Sequence, residues 1–484
     1  MEQHKTFGAL KASGYTSRDI KTELRENLIA RLREGETVFD GIHGYDNTVI
    51  PQVERAILSG HNINLLGLRG QAKTRIARLM VNLLDEYIPV VAGSEINDDP
   101  FFPLSRKAKQ TLEELGDDTP IEYLHRDDRF AEKLATPDVT VADLIGDVDP
   151  IKAANLKLSY ADDRVIHYGM IPRANRCIFV INELPDLQAR IQVALFNILQ
   201  EGDVQIRGFK LRLPLDMQFV FTANPEDYTN RGSIVTPLKD RIGSQILTHY
   251  PADIETAKKI TQQEFAKVGN QEGLFIPELA TEIIEQISFE ARDSEYVDAK
   301  SGVSARMSIS AFENLISTAR HRMILSGQDK TSVRMSDFMG VIPAITGKVE
   351  LVYEGEQEGA DGVAEILINA AIGTVFETLF PKIEKLEKQG EQNAYTQITE
   401  WFFENTEFSL EDDMDDAMYR ETLESVGPLS NLVLEYQPEV KGDEKYFLME
   451  FVLWALVSKN KLSKNRYDAG FQFSDLYGSY LKGI

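Results

Sequence analysis

The run Gly67-Leu68-Arg69-Gly70-Gln71-Ala72-Lys73-Thr74 decides the fold. It follows the apolar stretch Asn62-Ile63-Asn64-Leu65-Leu66 and precedes a helical pattern over 75–84, the strand–turn–helix setting of a phosphate-binding loop. In such a loop backbone N–H groups gather at the positive end of a helix and attract phosphate. Lys73 is placed to reach the β- and γ-phosphates of a nucleotide, and the Thr74 hydroxyl to reach Mg2+. Ala72 stands where the pattern has its last glycine. A helix-like dihedral would admit its Cβ there, and only a positive φ would demand glycine. Read alone, the run also fits a glycine-rich turn with no ligand.

Two further strand-like runs lie downstream, each ending in polar residues. Ile178–Ile181 runs into Asn182-Glu183, and Gln218–Thr222 runs into Ala223-Asn224-Pro225. Helical patterns between the runs predict a parallel α/β sheet, whose ligands bind beyond the carboxyl ends of the strands. Glu183 then has the position of a residue that polarises an attacking water. Asn182 replaces the acid expected beside Mg2+, keeping an oxygen acceptor but not its charge. Asn224 is placed to orient water or touch the γ-phosphate, although an Asn-Pro strand exit is also ordinary turn chemistry. Arg241, in Thr236-Pro237-Leu238-Lys239-Asp240-Arg241-Ile242-Gly243, could extend toward a neighbour's nucleotide or be a solvated surface residue.

Composition narrows the class. The chain has 484 residues, enough for several domains. Its net charge of −25 opposes nucleic acid or an anionic membrane as the default partner. The last stretch, 351–484, holds 26 acidic against 11 basic residues, so −15 of the charge lies there. Cys177 is the single cysteine, which excludes an internal disulfide and suggests a reducing compartment, the cytoplasm. The first fifteen residues lack the apolar core of a signal peptide, and apolar stretches such as Phe447–Val457 are too short to span a bilayer. The acidic cluster Glu411–Asp416 lacks the glycine and closing Glu of a calcium loop.

Loop, Asn-Glu, Asn and Arg stand in the order and spacing of AAA+ ATPases, and the chain resembles the magnesium-chelatase ATPase subunit and MoxR family over about 36–345. The likeness is closest at His167-Tyr168-Gly169-Met170-Ile171-Pro172-Arg173-Ala174-Asn175-Arg176, similar to that family's Gly-x-Leu-x-Arg-Ala-Asn-Arg-Gly segment, and at Leu238–Gly243. The resemblance implies an AAA+ P-loop parallel sheet core with a helical lid, here followed by an all-α C-terminal domain. The expected divisions are an N-terminal helical segment (1–40), the core (41–251), the lid (252–350) and an acidic helical domain (351–484).

The resemblance also implies roles. ATP and Mg2+ are the expected cofactors, with Gly67, Arg69, Gly70, Gln71, Ala72, Lys73, Thr74 and Arg75 around the phosphates and Ile42-His43-Gly44 beside the adenine. Thr74 and Asn182 would face the metal. Glu183 would activate water, Asn224 would be sensor 1, Arg241 an arginine finger acting in trans, and Arg306 the sensor 2 arginine. Residues 203–213 would form a hairpin before sensor 1, 143–161 an insertion, and 94–135 an extra loop. The family has Asp where this chain has Asn182, so slow or Mg2+-demanding hydrolysis is expected. A ring, in all expectation a hexamer, and a von Willebrand factor A-domain partner are further implications. The alternatives are a nucleotide-dependent assembly or sensing module with little hydrolysis, an enhancer-binding activator (opposed by the lack of a Gly-Ala-Phe-Thr-Gly-Ala loop) and a DNA translocase (opposed by the charge).

Overall fold

The computed structural model describes residues 4–159, 163–201, 203–206, 212–225, 233–266, 272–383, 393–467 and 470–476. The chain divides into two compact units, Met1–Tyr250 and Pro251–Ile484.

The first unit is built on a five-stranded sheet of β1 (Ile63–Leu66), β2 (Phe130–Leu134), β3 (Cys177–Asn182), β4 (Met217–Ala223) and β5 (Ser244–Leu247). Their order is β5-β1-β4-β3-β2, and every neighbouring pair is parallel. Parallel strands need crossovers that cover both faces, which is why the interior strands β3 and β4 read as nearly continuous apolar runs. The two faces are sorted by alternation. In β3, Ile178 and Val180 enter one apolar core with Val220 of β4, while Cys177, Phe179 and Ile181 enter the other with Phe219 and Phe221. Side chains alternate every second residue, so Asn182 falls on the face of Ile178 and Val180, as does Thr222 on the face of Val220.

That first core also contains Ile20, Leu24 and Leu28 of helix α1 (Ile20–Glu34) and Ile76 and Ala77 of α2 (Lys73–Leu79). Asp19 caps α1 by accepting from the Thr22 N–H. A buried ion pair fastens α1 to the sheet. Arg129, just before β2, donates from both terminal nitrogens to the Glu23 carboxylate at 2.7 Å, and its Nε donates to the Arg176 carbonyl. The N-terminal helical segment is therefore part of this unit's core.

Residues 94–135, expected to be an extra loop, contain regular structure. They carry a helix (Arg106–Leu115), a strand (Ile121–His125) antiparallel to Tyr87–Val91, and β2 itself. An edge strand needs only one buried face, so Glu132 and Lys133 hide β2 in the sequence. The hairpin before sensor 1 forms as read, pairing Asp203–Gln205 with Arg212–Pro214, and its tip lies outside the described residues. The insertion expected at 143–161 pairs Gly146–Val148 with Ile166–Tyr168 around the helix Pro150–Leu156, and its last two residues also lie outside the described ones.

The second unit is helical around one apolar core that runs from Phe265 to Phe473, across residue 350. Its acidic C-terminal stretch is helical as expected, with one addition, a three-stranded antiparallel sheet of Ser409–Glu411, Gly470–Ser474 and Ser463–Tyr467. Glu450 knots three segments by accepting from the Met335 and Ser336 N–H groups, the Tyr419 hydroxyl and the Trp454 indole. The helix Ala360–Leu379 is long and apolar enough to cross a membrane by composition, unlike the stretches noticed in the sequence. Its Leu367, Ile368, Ala371, Ile372, Val375 and Phe376 are buried in this unit's core.

Candidate active site

The site grows from the end of β1. Gly67 N–H donates to the Ala223 carbonyl and Thr248 N–H to the Leu66 carbonyl, so the strand end is held on both sides. A Cβ on Gly67 would collide with the Thr248 hydroxyl and the Gln71 amide oxygen, so only glycine fits. Gly70 takes φ +75°, which glycine adopts without cost. Ala72 takes φ +55° and ψ 15°, not the helix-like dihedral that would have made alanine an easy substitute. The left-handed conformation costs alanine roughly 1 kcal/mol, and the strand–helix junction sets it regardless of residue type.

From this loop Lys73 Nζ donates to the Gly67 carbonyl, to the Leu68 carbonyl at 2.8 Å and to Asn224 Oδ1 at 2.8 Å. Loop lysine and strand-end amide therefore meet directly. The Thr74 hydroxyl donates to Asn182 Oδ1 at 3.2 Å, and the Thr222 hydroxyl donates to the same oxygen at 3.1 Å. Glu183 follows with φ +55° and ψ 49°, a left-handed turn for a non-glycine residue, and its N–H donates to Thr222 Oγ1 at 3.1 Å. Such conformations persist only where surrounding bonds enforce them, and they cluster at functional sites.

The Ile42-His43-Gly44 segment is joined to the loop by a residue the sequence reading passed over. The Tyr45 hydroxyl donates to the His249 carbonyl at 2.6 Å and lies 3.1 Å from the Gln71 carbonyl. Burial pushes the Tyr45 phenol up to about 12, so it remains a neutral donor. Ile42 is buried in the α2-side core, His43 is half-buried and Gly44 takes φ +78°. The Gln71 side chain is buried and accepts from the Thr248 hydroxyl, while the Arg69 carbonyl accepts from the Tyr250 hydroxyl. Arg75 lies in the first turn of α2.

One proposed site residue of this unit is not gathered here. Arg241 ends the helix Thr236–Arg241, donates to Gln200 Oε1 and the Pro237 carbonyl, and lies over the Phe196 ring. Arg306 belongs to the second unit, exposed in the first turn of the helix Ala305–Leu325. Tyr45, Thr222, Thr248 and Glu132 complete the bonding of the site without having been singled out in the sequence. Of these, Thr222 alone left a signal, as a polar residue inside an apolar strand.

The Thr74 hydroxyl and the Asn182 amide oxygen are hard donors that suit a cation such as Mg2+, which keeps waters and takes much of its shell from phosphates. Among the described residues no three His, Cys, Asp or Glu side chains cluster to form a metal cage. Mg2+ would therefore depend on Thr74, Asn182 and nucleotide oxygens.

No family profile matches the chain. Among solved structures it is similar to the Thermotoga maritima RuvB Holliday junction branch migration motor, at 12% identity over 96% of this chain and 93% of that one, with a TM-score of 0.33. It is similar to the BchI–BchD complex of magnesium chelatase at 18% identity, covering 69% of this chain and 96% of that one, TM-score 0.33. NtrX from Brucella abortus is 14% identical over 87% of this chain and 72% of that one, TM-score 0.35. These likenesses are distant, and the P-loop α/β assignment rests on the sheet order and the loop geometry.

Proposed function

We propose that the chain is a ring-forming AAA+ ATPase of the magnesium-chelatase/MoxR type, which couples ATP hydrolysis to remodelling, chaperone or metal-insertion work on a partner protein. One observation carries this reading. The ends of β1, β3 and β4 bring Lys73 against Asn224 and Thr74 against Asn182. In that arrangement the loop N–H groups and Lys73 hold the phosphates, Asn224 orients the γ-phosphate or its attacking water, and Glu183 accepts the water's proton. Mg2+, when bound, supplies neutralisation of phosphate charge.

The Arg241 side chain rests on Gln200, the Pro237 carbonyl and the Phe196 ring, and we assign it to the nucleotide of a neighbouring subunit, with Arg306 responding to the same nucleotide from the lid. A hexameric ring, a von Willebrand factor A-domain partner and a cytoplasmic location belong to the same proposal. Asn182 favours a second reading, a module that binds nucleotide and assembles with little turnover.

Mixing subunits tests the shared site. Lys73→Ala and Arg241→Ala proteins are each expected to be inactive alone, and to regain a quarter or less of wild-type phosphate release when co-assembled, because mixed interfaces then contain some intact sites. No recovery in confirmed mixed rings would exclude Arg241 as a residue acting in trans.

A further inference from the structure

Asn182 raises the question of where the missing charge has gone. Its Nδ2 donates to Glu132 Oε1 at 2.5 Å. Glu132 lies on β2, whose register pairs Leu134 with Asn182 and Glu132 with Val180, so the two side chains share the α2 face of adjacent parallel strands. The other carboxylate oxygen of Glu132 accepts from Arg78 Nε at 3.1 Å and Nη2 at 2.7 Å. Arg78 is on α2, the helix that Lys73 and Thr74 begin.

An amide can face either way, and its neighbours decide which. Here a carboxylate, which only accepts, meets the NH2, and two hydroxyl donors, Thr74 and Thr222, meet the oxygen. The amide oxygen is therefore fixed toward the Thr74 hydroxyl, and the ionised carboxylate behind the NH2 polarises it. An aspartate at 182 could not make this contact, since two ionised carboxylates at 2.5 Å would repel. Residue 182 and residue 132 thus form one unit, with the negative charge on the neighbouring strand.

We propose that Glu132 is a positioning residue for Mg2+, supplying through the Asn182 amide the charge that an acid at position 182 would otherwise carry. The assignment rests on the nucleotide-site reading above. It replaces the expectation of a metal site short of one charge with that of a site whose charge is relayed. Partners of this kind, one bond removed from a ligand, change metal affinity by roughly 10–100-fold when lost.

The test is the Mg2+ dependence of binding of a fluorescent ATP analogue to the full chain, with EDTA as the metal-free reference. Glu132→Gln is expected to raise the Mg2+ midpoint about ten-fold while leaving affinity in EDTA unchanged. The exchange Glu132→Gln/Asn182→Asp, which moves the charge back to β3, is expected to restore the midpoint to within about three-fold. Arg78→Gln keeps the Glu132–Asn182 contact and is expected to leave the midpoint near wild type.

An unchanged midpoint in Glu132→Gln, or an equal shift in Arg78→Gln with no restoration by the exchange, would overturn the assignment in favour of a purely structural Arg78–Glu132 pair. Should Glu132→Gln not fold, Asn182→Asp decides. Its melting temperature should fall in EDTA and recover with Mg2+, and an unshifted value in EDTA would also overturn the assignment. A wild-type chain that binds no analogue under either condition would instead sink the nucleotide site itself, a separate result.

Discussion

Lys73→Ala is expected to weaken ATP binding at least about 100-fold, with the melting temperature of the Met1–Tyr250 unit little changed. The ammonium group bonds the Gly67 and Leu68 carbonyls and Asn224 Oδ1, so it is poised at the mouth of the loop beside the end of β4. When a nucleotide enters, these donors can turn to phosphate oxygens. Charge-assisted hydrogen bonds contribute roughly 1.5–3 kcal/mol each, and losing two gives about 3 kcal/mol, hence the hundredfold. The folded state loses half-exposed contacts, among them those to the loop carbonyls and the Asn224 amide, for which water substitutes. Isothermal titration with ATP and Mg2+ measures the first effect and calorimetric melting the second. A loss below about five-fold would place the phosphates elsewhere.

The largest stability effect is expected from Arg129→Met. The Arg129 and Glu23 side chains are 1% and 3% exposed and face each other at 2.7 Å through two parallel bonds. Removing one member leaves the other charge buried without its partner, which costs roughly 3–5 kcal/mol. Among the described residues Glu23 would keep only the Asp85 N–H. The double variant Arg129→Met/Glu23→Leu removes both charges and should recover much of the loss, since a well-packed apolar pair can equal a buried ion pair. Urea unfolding followed by a probe in the first unit gives both values. If the single variant loses less than about 1 kcal/mol, α1 is not fastened to the sheet through this pair.

The parallel sheet was legible because β1, β3 and β4 lie in the interior and must be apolar on both faces, so Ile178–Ile181 and Phe219–Phe221 announce themselves. The loop was legible because glycine spacing before Lys73-Thr74 answers a steric demand, seen at Gly67. Its dihedral at Ala72 was not, because the junction of strand and helix imposes it and no side chain records it. At the edges the signal fades: Phe130–Leu134 contains Glu132 and Lys133, and Ser463–Tyr467 is mostly polar and exposed. Both read as loop. The helical character of 360–379 was legible, but its long apolar stripe was masked by Asp361, Glu365 and Glu377. Contacts that join distant segments, such as Tyr45 to Gln71 and Glu132 to Asn182, have no local sequence signature at all.

Asn182 shows the limit most clearly. From the sequence it is one charge fewer beside Mg2+. In the fold it is half of a pair whose other half lies 50 residues earlier on the next strand. Register alone brings them together.

In the proposed function the ends of β1, β3 and β4 hydrolyse ATP, with Glu183 taking the proton of the attacking water. Steady-state phosphate release by Glu183→Gln, measured beside its ATP affinity, tests this most directly. Turnover is expected to fall at least about 100-fold, in the range lost with a general base, with ATP affinity within about three-fold of wild type, since uniform binding is untouched. Phosphate release at the wild-type rate by Glu183→Gln, with ATP bound as tightly, would contradict it.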